Sequence, residues 1–342
     1  MIVEIPGSAD FKKTSLNLLN LAWYIAIASL EAYSFSDIIH PVDTPVQHIP
    51  GIDGTLRTIG GPDTTWSPQE REVAEQQYWR RSQPALANAL SLIQQAIEMA
   101  LKGQIAEISP FLLIARDARD YPTKSAQQDV SFSAFRSLDA ADLLKVHNTV
   151  CSERLDDKFE GFWNSIRRQR NVFIHSVVPI SEVLKPTDLI EKILLTVRTM
   201  HREQEWFGHR VEYCQKDEIE AAFSTDSGSR FGRVLQEFEI VFHYLSSKAL
   251  REYFGLDRRR RTYMCTHCMK ECDSDIWNDL HQHFAQFDGK DPSSSAVKCA
   301  LCARSIKIFR GQCMDKECKS SVLCDDVEYG RICLICGIGQ SD

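Results

Sequence analysis

The run ALANALSLIQQAIEMALK, residues 85–102, consists almost wholly of strong helix formers. Within it Leu86, Leu90, Ile93, Ile97 and Leu101 recur at three- and four-residue spacing, the stripe of a helix that buries one face in a core. Glu98 and Lys102 stand four apart as an expected ion pair, and Gly103 is the expected terminator. Upstream, Ser67-Pro68-Gln69-Glu70 combines a capping serine, a first-turn proline and a glutamate at the capping-box position, so a helix should begin there.

Working outward, Thr14-Ser15 can cap a helix running to about Ser34. Its apolar part, 16–30, carries Asn17 and Asn20 and then meets Glu31. That is too short and too polar for a bilayer, so it reads as a buried helix. Prolines and glycines spread through 37–66 suggest loop. A short helix should precede Tyr121-Pro122, and further helices are expected at 138–150, 153–177, 187–206 and 231–254. No internal repeat is visible. At Asp257 the character changes to four arginines and then a cysteine-rich tail. The expected fold class is mainly α, a helical bundle followed by a small cysteine-rich zinc-binding domain. Its parts are a helical domain at 1–256 (core about 80–250), a basic linker at 257–264 and a zinc-ribbon domain at 265–342.

The chain has 342 residues, enough for two domains, with 43% hydrophobic and 25% charged residues, ordinary values for a globular core. A net charge of −7 excludes nucleic-acid attraction by the whole surface and leaves only local basic patches. No cationic start followed by an apolar core opens the sequence, so the expected location is the cytoplasm, with no membrane partner.

Ten of the 12 cysteines lie between Cys265 and Cys336. In a reducing compartment such clustering points to metal rather than disulfides. Each CxxC turn offers two thiolates from one tight loop, and two turns complete a tetrahedron. The simplest pairing is sequential: Cys265, Cys268, Cys299 and Cys302 on one ion, Cys313, Cys318, Cys333 and Cys336 on another. Interleaved pairing stays open, as do Cys272, Cys324, His267, His281 and His283 as substitutes. Full thiolate sets close the shell, so both Zn2+ ions are expected to be structural. Residues 258–342 hold 13 basic against 12 acidic side chains, and the thiolates make the loaded tail more negative. Only Arg258, Arg259, Arg260 and Arg261 offer phosphate contacts there, and a solvated linker explains them equally well. Protein binding by the tail, to a partner or an inhibitor, is at least as good a reading.

In residues 153–177 the apolar positions are Phe159, Phe162, Trp163, Ile166, Phe173, Ile174 and Val177. Continuing the stripe by four from Ile166 lands on Arg170, which should therefore meet a cleft, a charge partner or an interface. Asn171 and His175, four apart, share the adjoining face, and Arg167 adds charge one turn earlier. A core salt bridge for Arg170 with His175 as a terminal cap is the plain alternative.

The segment Arg170-Asn171-Val172-Phe173-Ile174-His175 resembles the R-x-x-x-x-H motif of the HEPN superfamily, helical bundles of prokaryotic toxins, antiviral defence proteins and RNA-cleaving effectors. The resemblance covers roughly residues 80–250. Val177 stands where members paired with nucleotidyltransferase antitoxins carry tyrosine, so that mode of control is not implied. What the resemblance implies is metal-independent RNA cleavage. His175 would act as general acid or base, Arg170 would stabilise the charged transition state, and Asn171 would orient the histidine or the phosphate. On an ideal helix Arg170 and His175 lie about 140° apart. Family members pair two such helices across a homodimer, which makes Phe162, Trp163 and Ile166 interface or core candidates. A non-catalytic RNA- or protein-binding bundle is the alternative, and a DNA-binding regulator a remoter one. His147, His209 and His243 read as structural, Cys151 lacks a catalytic context, and no glycine-rich phosphate loop is present.

Overall fold

The computed structural model describes residues 1–34, 47–50, 56–59, 67–114, 121, 129–175, 183–216, 226–288 and 294–340, with 47–50, 56–59, 174 and 175 as backbone only. They form two compact units, Met1–Arg202 and Glu203–Asp342. The expected division at residue 256 thus falls inside the second unit.

The first unit is a helical bundle. Helix α1 (Ser8–Ser34) lies along α2 (Pro68–Ile108). Their order is antiparallel: Lys12 meets Glu107 at 3.0 Å, Ser15 Oγ donates to the Ala96 carbonyl, and Tyr78 donates to the Ser29 carbonyl. The predicted stripe Leu86, Leu90, Ile93, Ile97 and Leu101 is fully buried. Leu19, Trp23 and Ala26 of α1 are fully buried as well. The Ser67–Glu70 capping box forms as predicted.

Four local expectations change. Helix α2 runs unbroken through Pro84 and Gly103. Gly103 does not end it. A Cβ there would lie 3.2 Å from Phe11 Cβ, so the glycine lets α1 approach. Helix α1 begins at Ser8, before the expected cap, and Ser15 serves packing instead. Lys102 reaches Ser137 at 3.2 Å and Glu98 accepts from Gln94, so the expected Glu98–Lys102 pair is not formed among the described residues. Gln47–Pro50 (β2) pairs antiparallel with Leu56–Ile59 (β3) where loop was expected. Ile49, Thr58 and Ile59 supply β-branched residues there. At the start of the chain a short parallel pair joins Ile2–Val3 (β1) to Val130–Ser131 (β4).

The bundle is completed by α3 (Ala140–Val150), α4 (Asp157–His175) and α5 (Pro186–Met200). Gln104 of α2 ties two of these together: its Nε2 donates to the Met200 carbonyl, and its Oε1 faces His147 Nε2 at 2.8 Å. Among the described residues no helix is long and apolar enough to cross a membrane.

The second unit combines helices α6 (Trp206–Lys216), α7 (Ser227–Tyr244) and α8 (Ser247–Phe254) with the cysteine-rich segment. The expected helices 187–206 and 231–254 each end early. The first stops at Met200, and Ser246 caps a new helix within the second. Buried Phe238 and Phe242 of α7 pack edge-on against Phe254, and Phe242 also meets Phe284 at 5.2 Å. Gly232 of α7 leaves room for Ile276 and Cys272. The cysteine-rich part therefore shares a core with these helices, which is why they group with it.

That part holds short helices α9 (Thr266–Glu271) and α10 (Ser274–Asp279) and two three-stranded antiparallel sheets. One is β5 (Ala285–Phe287), β6 (Ala296–Cys299) and β7 (Ser305–Lys307), with β6 central. The other is β8 (Phe309–Arg310), β9 (Val322–Asp326) and β10 (Gly330–Cys333), with β9 central.

Candidate metal centres and the exposed turn of α4

Cys265 caps α9 and Cys268 lies within it, while Cys299 ends β6 and Cys302 follows in the next turn. Together they bring four sulfur atoms within 4.8 Å of one another, and Cys313, Cys318, Cys333 and Cys336 do the same. The pairing is the sequential one. An ion bound to four thiolates at about 2.3 Å requires sulfur–sulfur edges near 3.8 Å. The observed edges are 3.6 Å for Cys265–Cys302 and 3.9 Å for Cys268–Cys299. In the second cluster they are 3.6 Å for Cys313–Cys336 and 3.8 Å for Cys318–Cys333. A disulfide would bring one pair to about 2.05 Å. These clusters therefore have the dimensions of metal sites.

Both clusters use the same turn. After Cys302, Ala303 takes a left-handed φ of 57°, and after Cys336, Gly337 takes 73°. This conformation folds main-chain N–H groups back onto sulfur. Leu301 N donates to Cys299 at 3.4 Å and Arg304 N donates to Cys302. Correspondingly, Ile335 and Cys336 N–H groups donate to Cys333, and Ile338 N to Cys336. Such donors favour the thiolate over the thiol. Burial pushes Cys333 up, yet these donors and the Ser320 hydroxyl bring it down to about 7. Neighbouring cysteines and the Arg304 N–H hold Cys302 below the ordinary thiol range. Gln340 Nε2 reaches Cys313 Sγ at 3.6 Å. Gln340 and Ser320 carry no local sequence signal, because they meet the cluster only through the fold.

The other candidate ligands stand aside. Burial raises Cys272 to about 11 and Cys324 to about 12, as expected of packed neutral thiols. His267 Nδ1 lies 3.2 Å from Arg304, while burial lowers the pKa of His283. His281 uses its main-chain N–H on Glu239. The arginine run divides. Arg258 donates to the Phe242 and His243 carbonyls, the latter at 2.8 Å, and Arg260 to that of Phe287 at 2.7 Å. The guanidinium groups of Arg259 and Arg261 have no partner among the described residues.

On α4 the buried residues are Phe159, Trp163 and Ile166, which belong to the core, whereas Phe162 is only half-buried. The apolar face ends one turn later: Arg170 is half-buried, not enclosed, and Asn171 is exposed. Arg170 thus avoids the cost of a buried charge by reaching the surface, and among the described residues it enters no salt bridge. Its Nη1 donates to Asn171 Oδ1 at 3.2 Å. Arg167 lies over the Trp163 ring at 5.7 Å. His175 is the last residue of α4, and its side chain lies outside the described residues.

One serine–histidine pair, Ser15 with His201, has no place in catalysis. Both are fully buried, with Ser15 Oγ 2.9 Å from His201 Nε2. Ser15 spends its only proton on the Ala96 carbonyl at 2.7 Å, so His201 must be the donor and is no base for that hydroxyl.

Comparison of the chain with known protein families, curated proteins and solved structures found no match.

Proposed function

We propose that this chain is a metal-independent endoribonuclease of HEPN type, an effector of the toxin or phage-defence kind, whose tail is held by two structural zinc ions. The observation that carries the reading is the hydrogen-bonded pair of half-buried Arg170 and exposed Asn171 late in α4, with His175 ending the same helix. A guanidinium at a helix surface, steadied by a neighbouring amide, suits a phosphate oxygen. Imidazole is the side chain that exchanges protons near neutral pH.

In the proposed reaction His175 takes the proton of the RNA 2′-hydroxyl as its oxygen attacks phosphorus. The bond from phosphorus to the 5′-oxygen breaks, and an imidazolium returns a proton to that oxygen. Arg170 stabilises the extra negative charge on the phosphoryl oxygens. Because Arg170 and His175 sit about 140° apart on a helix, two α4 helices facing each other in a homodimer would assemble the complete set. The RNA product ends in a 2′,3′-cyclic phosphate.

For the tail, four thiolates in a tetrahedron suit zinc, and the closed shell suits a structural ion. The tail would then present a surface for a target or a protein partner, in a reducing compartment such as the cytoplasm.

The test is cleavage of a mixed RNA pool by full-length, zinc-loaded protein in EDTA, with zinc content checked afterwards. Wild type should leave cyclic phosphate ends, and His175→Ala and Arg170→Ala should not cleave. Intact RNA with folded wild type would turn the reading to a non-catalytic RNA- or protein-binding bundle.

A further inference from the structure

Where α7 ends, α8 and the arginine-bearing turn after it line a half-open cavity of about 430 Å³ within the second unit. Phe242, Leu250 and Leu256 give it an apolar side. Its polar side carries Arg258, Arg260 and Thr262, and among the described residues no carboxylate lines it.

Both guanidinium groups are held in place, and among the described residues no carboxylate pairs with either. Arg258 Nη2 donates to the Phe242 and His243 carbonyls at the end of α7, and Arg260 Nη2 to the Phe287 carbonyl. Among the described residues the Nε and Nη1 donors of both arginines have no acceptor. A helix end offers only about half a negative charge. Two nearby carboxylates have other partners. Glu239 accepts from His281 N at 2.7 Å, and Asp257 accepts from Arg259 N at 3.0 Å and faces Arg251 at 3.8 Å. Gln282 Nε2 lies 3.5 Å from Thr262 Oγ1, which leaves the Thr262 hydroxyl proton available.

Two oriented guanidinium forks beside a hydroxyl are the chemistry of phosphate recognition. The volume exceeds that of one inorganic phosphate and falls within the range of about 300–1,000 Å³ typical of small-molecule sites. The apolar side calls for a ligand with a carbon framework. We propose that this cavity binds a small organic phosphate, its phosphoryl group on Arg258, Arg260 and Thr262 and its remaining body against Phe242, Leu250 and Leu256. The inference stands apart from RNA cleavage by α4, which belongs to the other unit.

Titration calorimetry on the full-length, zinc-loaded chain tests it, with AMP, UMP and glucose 6-phosphate as probes and adenosine and inorganic phosphate as controls. At least one organic phosphate should bind saturably, at least tenfold more tightly than either control, and more weakly as salt is added. Arg260→Gln should weaken that binding at least tenfold. Arg258 caps α7, so it is left intact. His243, exposed at the rim, supplies the second variant: His243→Glu adds a negative charge there and should weaken binding equally while zinc content and melting temperature hold. No saturable binding of any organic phosphate, a control binding as tightly, or unchanged affinity in folded His243→Glu would each overturn the proposal.

Discussion

Arg210 of α6 and Glu237 of α7 form a two-bond ion pair, at 2.6 and 3.1 Å, with the arginine side chain only 1% exposed and the glutamate 9%. The Tyr213 ring lies 5.6 Å from the same guanidinium. Removing one partner takes a two-bond charge partner away from a buried group, a loss of about 3–5 kcal/mol. Glu237→Ala should therefore lower the denaturation midpoint strongly. Replacing both by apolar residues of similar volume should recover most of the loss. A double-variant loss equal to the sum of the two single losses would mean that the two residues act independently.

Gly232 tests how tightly α7 meets the cysteine-rich segment. A Cβ there would sit 2.7 Å from Ile276 Cγ2 and 3.0 Å from Cys272 Sγ. Gly232→Ala should thus destabilise by about 1–3 kcal/mol through overpacking, although alanine is the better helix former. At an open helical site, Gly161, the same change should stabilise by roughly 1 kcal/mol. Urea unfolding of the two variants gives the comparison.

Metal content separates ligands from bystanders. Wild type should carry two zinc ions per chain, and Cys299→Ser or Cys333→Ser should carry about one. Cys272→Ser and Cys324→Ser should keep both, since neither belongs to a cluster. Stripping the metal should unfold the tail sheets, seen as loss of amide protection in β6 and β9.

Asp226 caps α7 and links stability to acid. Its carboxyl is drawn below the ordinary 3.8 by the Ser229 hydroxyl and then by the Ser229 N–H. A folded-state value below the unfolded one gives stability present above the unfolded value and lost as pH falls through the folded one. The melting-temperature gap between wild type and Asp226→Ala should stay level from neutral pH to about 5 and close below about 4. A gap that persists in acid would assign the effect to something other than the carboxylate.

Arg170→Lys keeps the charge but loses the planar fork and its bond to Asn171. On the ribonuclease reading it should cut the cleavage rate about 10²–10³-fold with little change in RNA affinity. Equal loss of rate and binding would place Arg170 in substrate capture instead.

Local signals made much of this architecture legible. The buried stripe Leu86 to Leu101, the Ser67–Glu70 capping box and the two ligands of each cysteine turn depend on periodicity or on residues close in the chain. Failures came where a residue answers to a distant neighbour. Gly103 looks like a terminator but is a contact point for Phe11, and Lys102 turns to Ser137 rather than Glu98.

By itself, then, the amino-acid sequence determined that the chain is a helical body followed by two four-cysteine clusters, because helix stripes and CxxC turns are built from residues a few positions apart. Only the tertiary structure decided that α6, α7 and α8 share a core with the cysteine-rich tail, and that Arg170 leaves the apolar face for the surface. Burial depends on which distant side chains arrive, and no local spacing carries that information.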